Sequence, residues 1–125
     1  MGALFSSTNK NLNEADIKMA LEKAKHLVSS TPVFVFSKTY CGYCNRVKQL
    51  LKQVGAAFQV MELDQETDGD AIQAALLEWT GQRTVPNVFI GGKHIGGCDA
   101  VMAKHNQGQL VPMLVDVKAI TEQTA

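Results

Sequence analysis

The residues best suited to chemistry are two cysteines three positions apart, Cys41 and Cys44. A thiolate is the nucleophile of thiol–disulfide exchange, and two thiols at this spacing can act in turn on one disulfide. The alternative is half of a zinc site, which needs further cysteine or histidine ligands nearby. The other candidate ligands are scattered along the chain, without a second Cys-x-x-Cys: His26, His94, Cys98 and His105. The pattern therefore favours a dithiol redox pair.

The flanking sequence places this pair at a predicted strand-to-helix junction. Residues 32–36 are apolar and β-prone, which is typical of a buried strand. Residues 45–54 carry apolar side chains at helical spacing, and Gly55 ends the helix. Cys41 is then at or just before the helix N-terminus, where unpaired N–H groups favour a thiolate. Cys44 lies one turn further in and should be more buried, so we expect Cys41 to attack and Cys44 to resolve.

The composition is that of an ordinary soluble globular domain, with 46% hydrophobic and 19% charged residues in a chain of 125. Twelve basic residues balance twelve acidic ones, so no nucleic-acid partner is expected. Three cysteines are too few, and odd in number, for a secreted disulfide framework. The sequence shows neither a membrane-spanning apolar run nor a signal-peptide pattern, and we therefore expect a cytoplasmic protein.

Apolar periodicity and turn residues predict an alternation of helices and strands. A first helix begins after Asn13 as its N-cap, and further elements follow the cysteine pair. These are a strand at 58–63, a helix at 70–80, a hairpin at 87–95 and helices at 99–106 and 110–120. The acidic run at 64–68 is interpreted as a solvated turn. Since a strand–helix–strand order implies a parallel pair, the prediction is an α/β fold with a four-stranded mixed sheet flanked by helices.

The predicted domain occupies residues 13–120, between a flexible N-terminal tail at 1–12 and a frayed C-terminal tail at 121–125. The first six residues match the form required for N-myristoylation on Gly2. The alternative is a plain flexible start, since so short a pattern matches often by chance. A single acyl chain would give only weak membrane association.

Three motifs together resemble the glutaredoxin family over residues 14–120. They are the cysteine motif at 38–44, Gly-Gln-Arg-Thr-Val-Pro at 81–86 and Gly-Gly-Cys-Asp at 96–99. Thioredoxins usually carry Trp-Cys-Gly-Pro-Cys, and monothiol glutaredoxins typically have serine where Cys44 stands. The common dithiol form has proline where Gly42 stands, and the glycine resembles certain plant dithiol glutaredoxins.

The resemblance implies a thioredoxin-like fold and a glutathione-dependent oxidoreductase that reduces protein disulfides and glutathione mixed disulfides. Val85, before a cis-Pro86, would pair through its backbone with the cysteinyl part of glutathione. The N–H groups of Cys98 and Asp99 would hold the γ-glutamyl carboxylate. The Asp99 carboxylate would pair with the glutathione ammonium or merely cap its helix.

The resemblance implies further glutathione contacts around Val85, Cys98 and Asp99. Lys38 and Gln73 match positions that take the glycine carboxylate, Arg83 would assist electrostatically, and Tyr43 would form one wall. Cys98 is either a small buried residue or a further redox thiol. The complete expected glutathione site is Lys38, Tyr43, Gln73, Arg83, Thr84, Val85, Pro86, Gly97, Cys98 and Asp99.

A binding function is the alternative to the enzyme. In that reading Cys41 of two protomers and two glutathiones would ligate a [2Fe–2S] cluster in a homodimer that acts as an iron–sulfur carrier or redox sensor. Without a cluster the enzyme is expected to be a monomer. A third interpretation, a catalytically silent interaction module with this fold, is disfavoured because both cysteines and the binding motifs are intact.

Overall fold

The computed structural model describes residues 12–120. Apart from Leu12, the two predicted tails lie outside these residues, and so does the Gly2 motif. The domain limits therefore stay predictions. Four strands and five helices follow one another with a short 3₁₀ turn at Leu63–Gln65: α1 (Glu14–Ser29), β1 (Val33–Ser37), α2 (Gly42–Gln53), β2 (Gln59–Glu62), α3 (Gly69–Thr80), β3 (Asn87–Ile90), β4 (Lys93–Gly96), α4 (Cys98–Asn106) and α5 (Leu110–Asp116), all within the described part of the chain. None of these helices is long and apolar enough to cross a membrane.

The strands form one sheet in the order β2-β1-β3-β4. β1 runs parallel to β2 and antiparallel to β3, and β3 and β4 form an antiparallel hairpin. The predicted mixed sheet and its parallel pair are therefore confirmed. The hairpin turns at Gly91 and Gly92, whose φ values of 60° and 80° are those of a two-residue turn that favours glycine.

Side chains at alternate positions of β1 belong to two separate hydrophobic cores, one on each face of the sheet. Val33 and Val35 of β1 pack with residues of α2, α4 and α5. Phe34 and Phe36 pack with residues of α1 and α3 on the opposite face. On that second face Trp79 stacks on Phe89, with ring centroids 4.8 Å apart. Because side chains alternate across a strand, this pattern fixes which face of β1 lies under α2.

The ends of the first and last helices show one confirmed prediction and one wrong one. Asn13 caps α1, since its side-chain oxygen accepts from the Asp16 N–H at 2.8 Å. The last helix ends at Asp116 and not at 120 as predicted. Lys118 adopts a positive φ of 64°, which an α-helix cannot contain. The Ala119 carbonyl then accepts from the Ala57 N–H at 2.8 Å and ties this end to the loop before β2.

Candidate active site

Cys41 occupies the N-cap position of α2. Its backbone is extended, with φ −93° and ψ 117°, and its sulfur accepts from the Cys44 N–H at 3.3 Å. The first N–H groups of a helix have no partner inside the helix, and together with the dipole they favour negative charge. The predicted junction placement is therefore confirmed, and the half-buried Cys41 sulfur lies at the N-terminus of α2.

Cys44 differs from Cys41 in burial. Its side chain is fully buried. Burial raises the pKa of the Cys44 thiol to about 11, because the charged form loses its water, and a hydrogen bond with Cys41 acts in the same direction. A hydrogen bond with Ser37 opposes the shift. At neutral pH Cys44 is therefore a thiol, as the predicted resolving role requires.

The loop that precedes β3 faces the nucleophile. The Val85–Pro86 peptide bond is cis, as the resemblance implies. The Cys41 thiol donates to the Val85 carbonyl oxygen at a sulfur–oxygen distance of 3.7 Å. The Gln82 amide stabilises the loop, because it donates to the carbonyl oxygens of Thr84 and Pro86 at 3.0 and 2.9 Å. Gln82 lies inside the Gly-Gln-Arg-Thr-Val-Pro motif, but its role was not predicted.

A groove of about 770 Å³ lies between this loop, β4 and the start of α4. Seven of the ten residues predicted for glutathione line it: Tyr43, Thr84, Val85, Pro86, Gly97, Cys98 and Asp99. The sequence did not predict the other wall residues: Gln82, His94, Ile95, Gly96 and Ala100. The Asp99 carboxylate has no hydrogen bond or ion pair within the described part of the chain, and the N-cap of α4 is Gly97. The capping alternative for Asp99 therefore finds no support.

Three predicted glutathione contacts lie outside the groove lining: Lys38, Gln73 and Arg83. The Gln73 amide donates to the Arg83 carbonyl at 2.8 Å and so ties α3 to the loop that leads to Val85. A structural contact thus occupies one donor of Gln73, and the proposed roles of all three residues stay predictions. Cys98 is only 6% exposed and also belongs to the core under α4, as expected of a small buried residue.

The acidic run after β2 is an exposed turn, as the interpretation of 64–68 expects, but two of its carboxylates also form contacts that were not predicted. Asp64 accepts from both the N–H and the hydroxyl of Thr39, with the backbone contact at 3.0 Å. These hydrogen bonds lower the pKa of the Asp64 carboxyl, and the bond from the Thr39 hydroxyl has the largest effect. Asp68 forms an exposed ion pair with Lys23 at 2.9 Å. Asp64 therefore anchors the loop that carries Cys41, across 25 positions of sequence.

Metal ligation by a single chain is not supported by side-chain geometry. Among residues 12–120, no three His, Cys, Asp or Glu side chains approach closely enough to hold a metal ion. Cys41 is the half-exposed thiol, since Cys44 and Cys98 are both buried. A site that needs four thiolates would have to draw ligands from outside one chain.

A four-stranded mixed sheet with a cysteine pair at the start of α2, facing a cis-proline loop, defines a thioredoxin-like redox protein. The family described as Glutaredoxin matches residues 33–95. Glutaredoxin-C1 of Arabidopsis thaliana is 56% identical over 125 residues, covering 100% of this chain and 98% of that protein. A Ricinus communis glutaredoxin is 68% identical over 102 residues, covering 82% and 100%. The chain belongs to the glutaredoxin family, close to the plant dithiol members, and is a glutathione-dependent thiol–disulfide oxidoreductase.

Two solved structures are similar in fold and sequence. A buckwheat glutaredoxin–glutathione complex superposes with a TM-score of 0.87 at 70% identity, covering 88% of this chain and all of that one. The holo form of glutaredoxin C1 from Populus tremula x tremuloides gives a TM-score of 0.78 at 66% identity, covering 79% of this chain and 98% of that one.

Proposed function

We propose that Cys41 carries out the glutathione-dependent exchange in the groove beside Val85. The Cys41 thiolate attacks a glutathione mixed disulfide or a protein disulfide, a new disulfide forms at Cys41, and the substrate leaves as a thiol. The observation that carries this proposal is the Cys41 sulfur at the start of α2, 3.7 Å from the Val85 carbonyl oxygen. A second glutathione, or Cys44, then releases the adduct. In this way electrons pass from glutathione to glutathionylated proteins and protein disulfides.

We place glutathione along the groove in three contacts. The backbone of Val85 would pair with its cysteinyl part, as one residue of an added strand does. The N-terminus of α4, at Cys98 and Asp99, would hold the γ-glutamyl carboxylate through backbone N–H groups. The unpaired Asp99 carboxylate would take the ammonium group. The similar buckwheat protein forms a complex with glutathione, which supports glutathione as the ligand of this chain.

Removing the Asp99 carboxylate should weaken glutathione recognition and leave the fold intact. Asp99→Ala should raise the KM for a glutathione mixed disulfide about tenfold, a change of about 1.4 kcal/mol, because the ammonium loses its partner. Steady-state kinetics and thermal unfolding measure the two effects. Asp116→Ala is the matched control, since Asp116 is an exposed carboxylate at the end of α5, outside the groove. Kinetics equal to the wild-type values for Asp99→Ala would refute the contact.

A second candidate function is a [2Fe–2S] cluster held between two chains. Two Cys41 thiolates and two glutathione thiolates would make up the four ligands, because one chain offers only one half-exposed thiol among its described cysteines. A Cβ atom placed on Gly42 would meet nothing within 4 Å, so the surface beside the sulfur is open to a partner. The similar Populus protein is known in a holo form, which supports a bound group in this chain.

We further propose a cytoplasmic location, with weak membrane association if Gly2 is acylated. Gly2 lies in the tail outside the described residues, and the proposal rests on its sequence pattern. In a eukaryotic cell Gly2→Ala should abolish the lipid and move any membrane-bound fraction into the soluble fraction. Mass spectrometry of the native N-terminus, with cell fractionation, tests this. An unmodified glycine at the N-terminus would end the acylation proposal and leave the cytoplasmic one.

A further inference from the structure

The Gln82 side chain lies between the two parts of the groove that would hold glutathione. Its amide nitrogen, Nε2, donates to the carbonyl oxygens of Thr84 and Pro86 at 3.0 and 2.9 Å. These two residues flank Val85, whose own carbonyl oxygen accepts from the Cys41 thiol. One amide therefore holds both neighbours of the residue whose backbone would pair with the cysteinyl part of glutathione.

The same amide adjoins the turn that begins α4. A Cβ atom placed on Gly96 would lie 3.8 Å from Oε1 of Gln82, and one placed on Gly97 would lie 3.7 Å from Nε2. The Cβ on Gly97 would also lie 3.5 Å from the Pro86 carbonyl oxygen, so the turn and the loop meet at this amide. Gly97 is the N-cap of α4, whose first N–H groups would hold the γ-glutamyl carboxylate. Gln82 thus lies against both backbone segments that the proposed glutathione contacts use.

The end of α3 fixes Gln82 in this position. α3 ends at Thr80, and its C-cap Gly81 adopts a left-handed conformation with φ 79°. The Gln82 N–H donates to the Thr80 hydroxyl oxygen at 3.0 Å, and that hydroxyl donates to the Leu76 carbonyl oxygen at 2.8 Å. A side chain that is anchored to a helix is positioned more precisely than one on a free loop. The helix end therefore sets where the amide meets the groove.

A glutamine amide is suited to hold two carbonyl groups at once. Its nitrogen carries two N–H donors, and in Gln82 there is one carbonyl acceptor for each of them. Pro86 is buried, so loss of the amide would leave its carbonyl oxygen short of a partner, which is costly and favours a shift of the loop. Such a shift would move the Val85 backbone relative to the start of α4.

We propose that Gln82 is a positioning residue that makes the groove selective for glutathione. It holds the Val85 backbone and the start of α4 at the spacing that the cysteinyl and γ-glutamyl parts of one glutathione require. A disulfide without a γ-glutamyl group cannot use the second contact, so its reaction with Cys41 does not depend on this spacing. The inference rests on the proposed function and assigns its substrate selectivity to a side chain that acts through the backbone of two other segments.

The reactions of Cys41 with two symmetric disulfides test this selectivity. Reduced protein is mixed with oxidised glutathione or with bis(2-hydroxyethyl) disulfide, which is neutral and has no peptide groups. In each reaction the Cys41 thiolate forms a disulfide with one sulfur of the reagent, and the other sulfur leaves as a thiolate that takes up a proton from water. After an acid quench, mass spectrometry measures the Cys41 adduct together with the Cys41–Cys44 disulfide that forms from it.

Gln82→Met should lower the rate with oxidised glutathione about tenfold and leave the rate with the small disulfide unchanged, because a small misplacement of binding groups is enough for such a loss. Methionine is unbranched and flexible like glutamine but has no N–H donor, so it removes both hydrogen bonds without emptying the site. Gln82→Ala should lose selectivity in the same way, so the test does not depend on the folding of one variant. Gln53→Met and Gln53→Ala are the matched controls and should keep both rates, since Gln53 is exposed at the end of α2, outside the groove.

Two results would overturn the proposal. If both rates fell by the same factor in the two Gln82 variants, Gln82 would support the fold or the nucleophile and not the choice of substrate. If both variants kept the wild-type ratio of the two rates without any loss, the amide would not position the groove at all. The proposed function fails in a different way: wild-type protein that reacted no faster with oxidised glutathione than with the small disulfide would contradict the glutathione groove itself.

Discussion

Cys41→Ser should abolish glutathione-dependent reduction, with a loss of about three orders of magnitude or more, because a hydroxyl cannot form the disulfide adduct. Cys44→Ser should retain activity on glutathione mixed disulfides, since external glutathione can release the adduct from Cys41. The same variant should lose the closed disulfide between the two residues. Turnover of a glutathionylated peptide, followed by coupled reduction of oxidised glutathione, measures both variants.

Alkylation gives a second measure of the same assignment. Near neutral pH iodoacetamide should modify Cys41 first, because the Cys44 thiol is fully buried and its pKa is about 11. Modification of Cys44 should increase only toward that pH. If Cys44→Ser alone removed activity on mixed disulfides, or if Cys44 were alkylated first, the attacking and resolving roles would be wrongly assigned.

Anaerobic reconstitution with iron, sulfide and glutathione should give a coloured dimer. Gly42→Pro should prevent its formation, because a ring beside Cys41 fills the open surface that a second chain would approach. Proline is tolerated at the first position of a helix, which Gly42 occupies, so this variant should fold as a monomer. Cys41→Ser should also prevent the cluster, since it deletes the protein ligand. Visible absorbance and size-exclusion chromatography report the cluster and the dimer.

The buried thiols provide the controls for this ligand set. Cys44→Ser and Cys98→Ser should still give the coloured dimer, because neither sulfur is exposed to a partner. Cluster and oxidoreductase activity should exclude each other, since both use Cys41 and bound glutathione. A cluster that forms without glutathione, or that requires Cys44, would contradict the proposed ligands.

The elements and the nucleophile were predictable because their signals are local. Cys41 follows an apolar strand and precedes a helical pattern, and this alone predicts the N-cap position that the structure shows. Gly91 and Gly92 predict the hairpin, since few other residues adopt two successive positive φ values. The end of α5 was missed because Lys118 adopts a left-handed conformation that its residue type does not announce.

The polar supports of the site were not predictable, because they depend on the register between β1 and β2. Thr39 and Asp64 are 25 positions apart, and Lys48 and Glu62 are 14 apart. Nothing in the local pattern distinguishes these carboxylates from solvated ones. Once Ser37 pairs with Glu62 in the parallel ladder, the second residue beyond each strand end brings Asp64 to Thr39. The last residue of β2, Glu62, itself contacts Lys48 of α2.

The stacking of Trp79 on Phe89 gives the protein a built-in optical probe. Trp79 is the sole tryptophan of the chain, and Lys25 Nζ lies 5.5 Å from its ring centroid. The Phe89 ring also contacts His94, at 5.2 Å between centroids, and His94 lines the groove. Two rings, those of Phe89 and His94, thus separate this fluorophore from the groove. Its emission reports the packing of the core between the sheet and α3 during unfolding and is placed to sense occupancy of the groove, without any label near the cysteines.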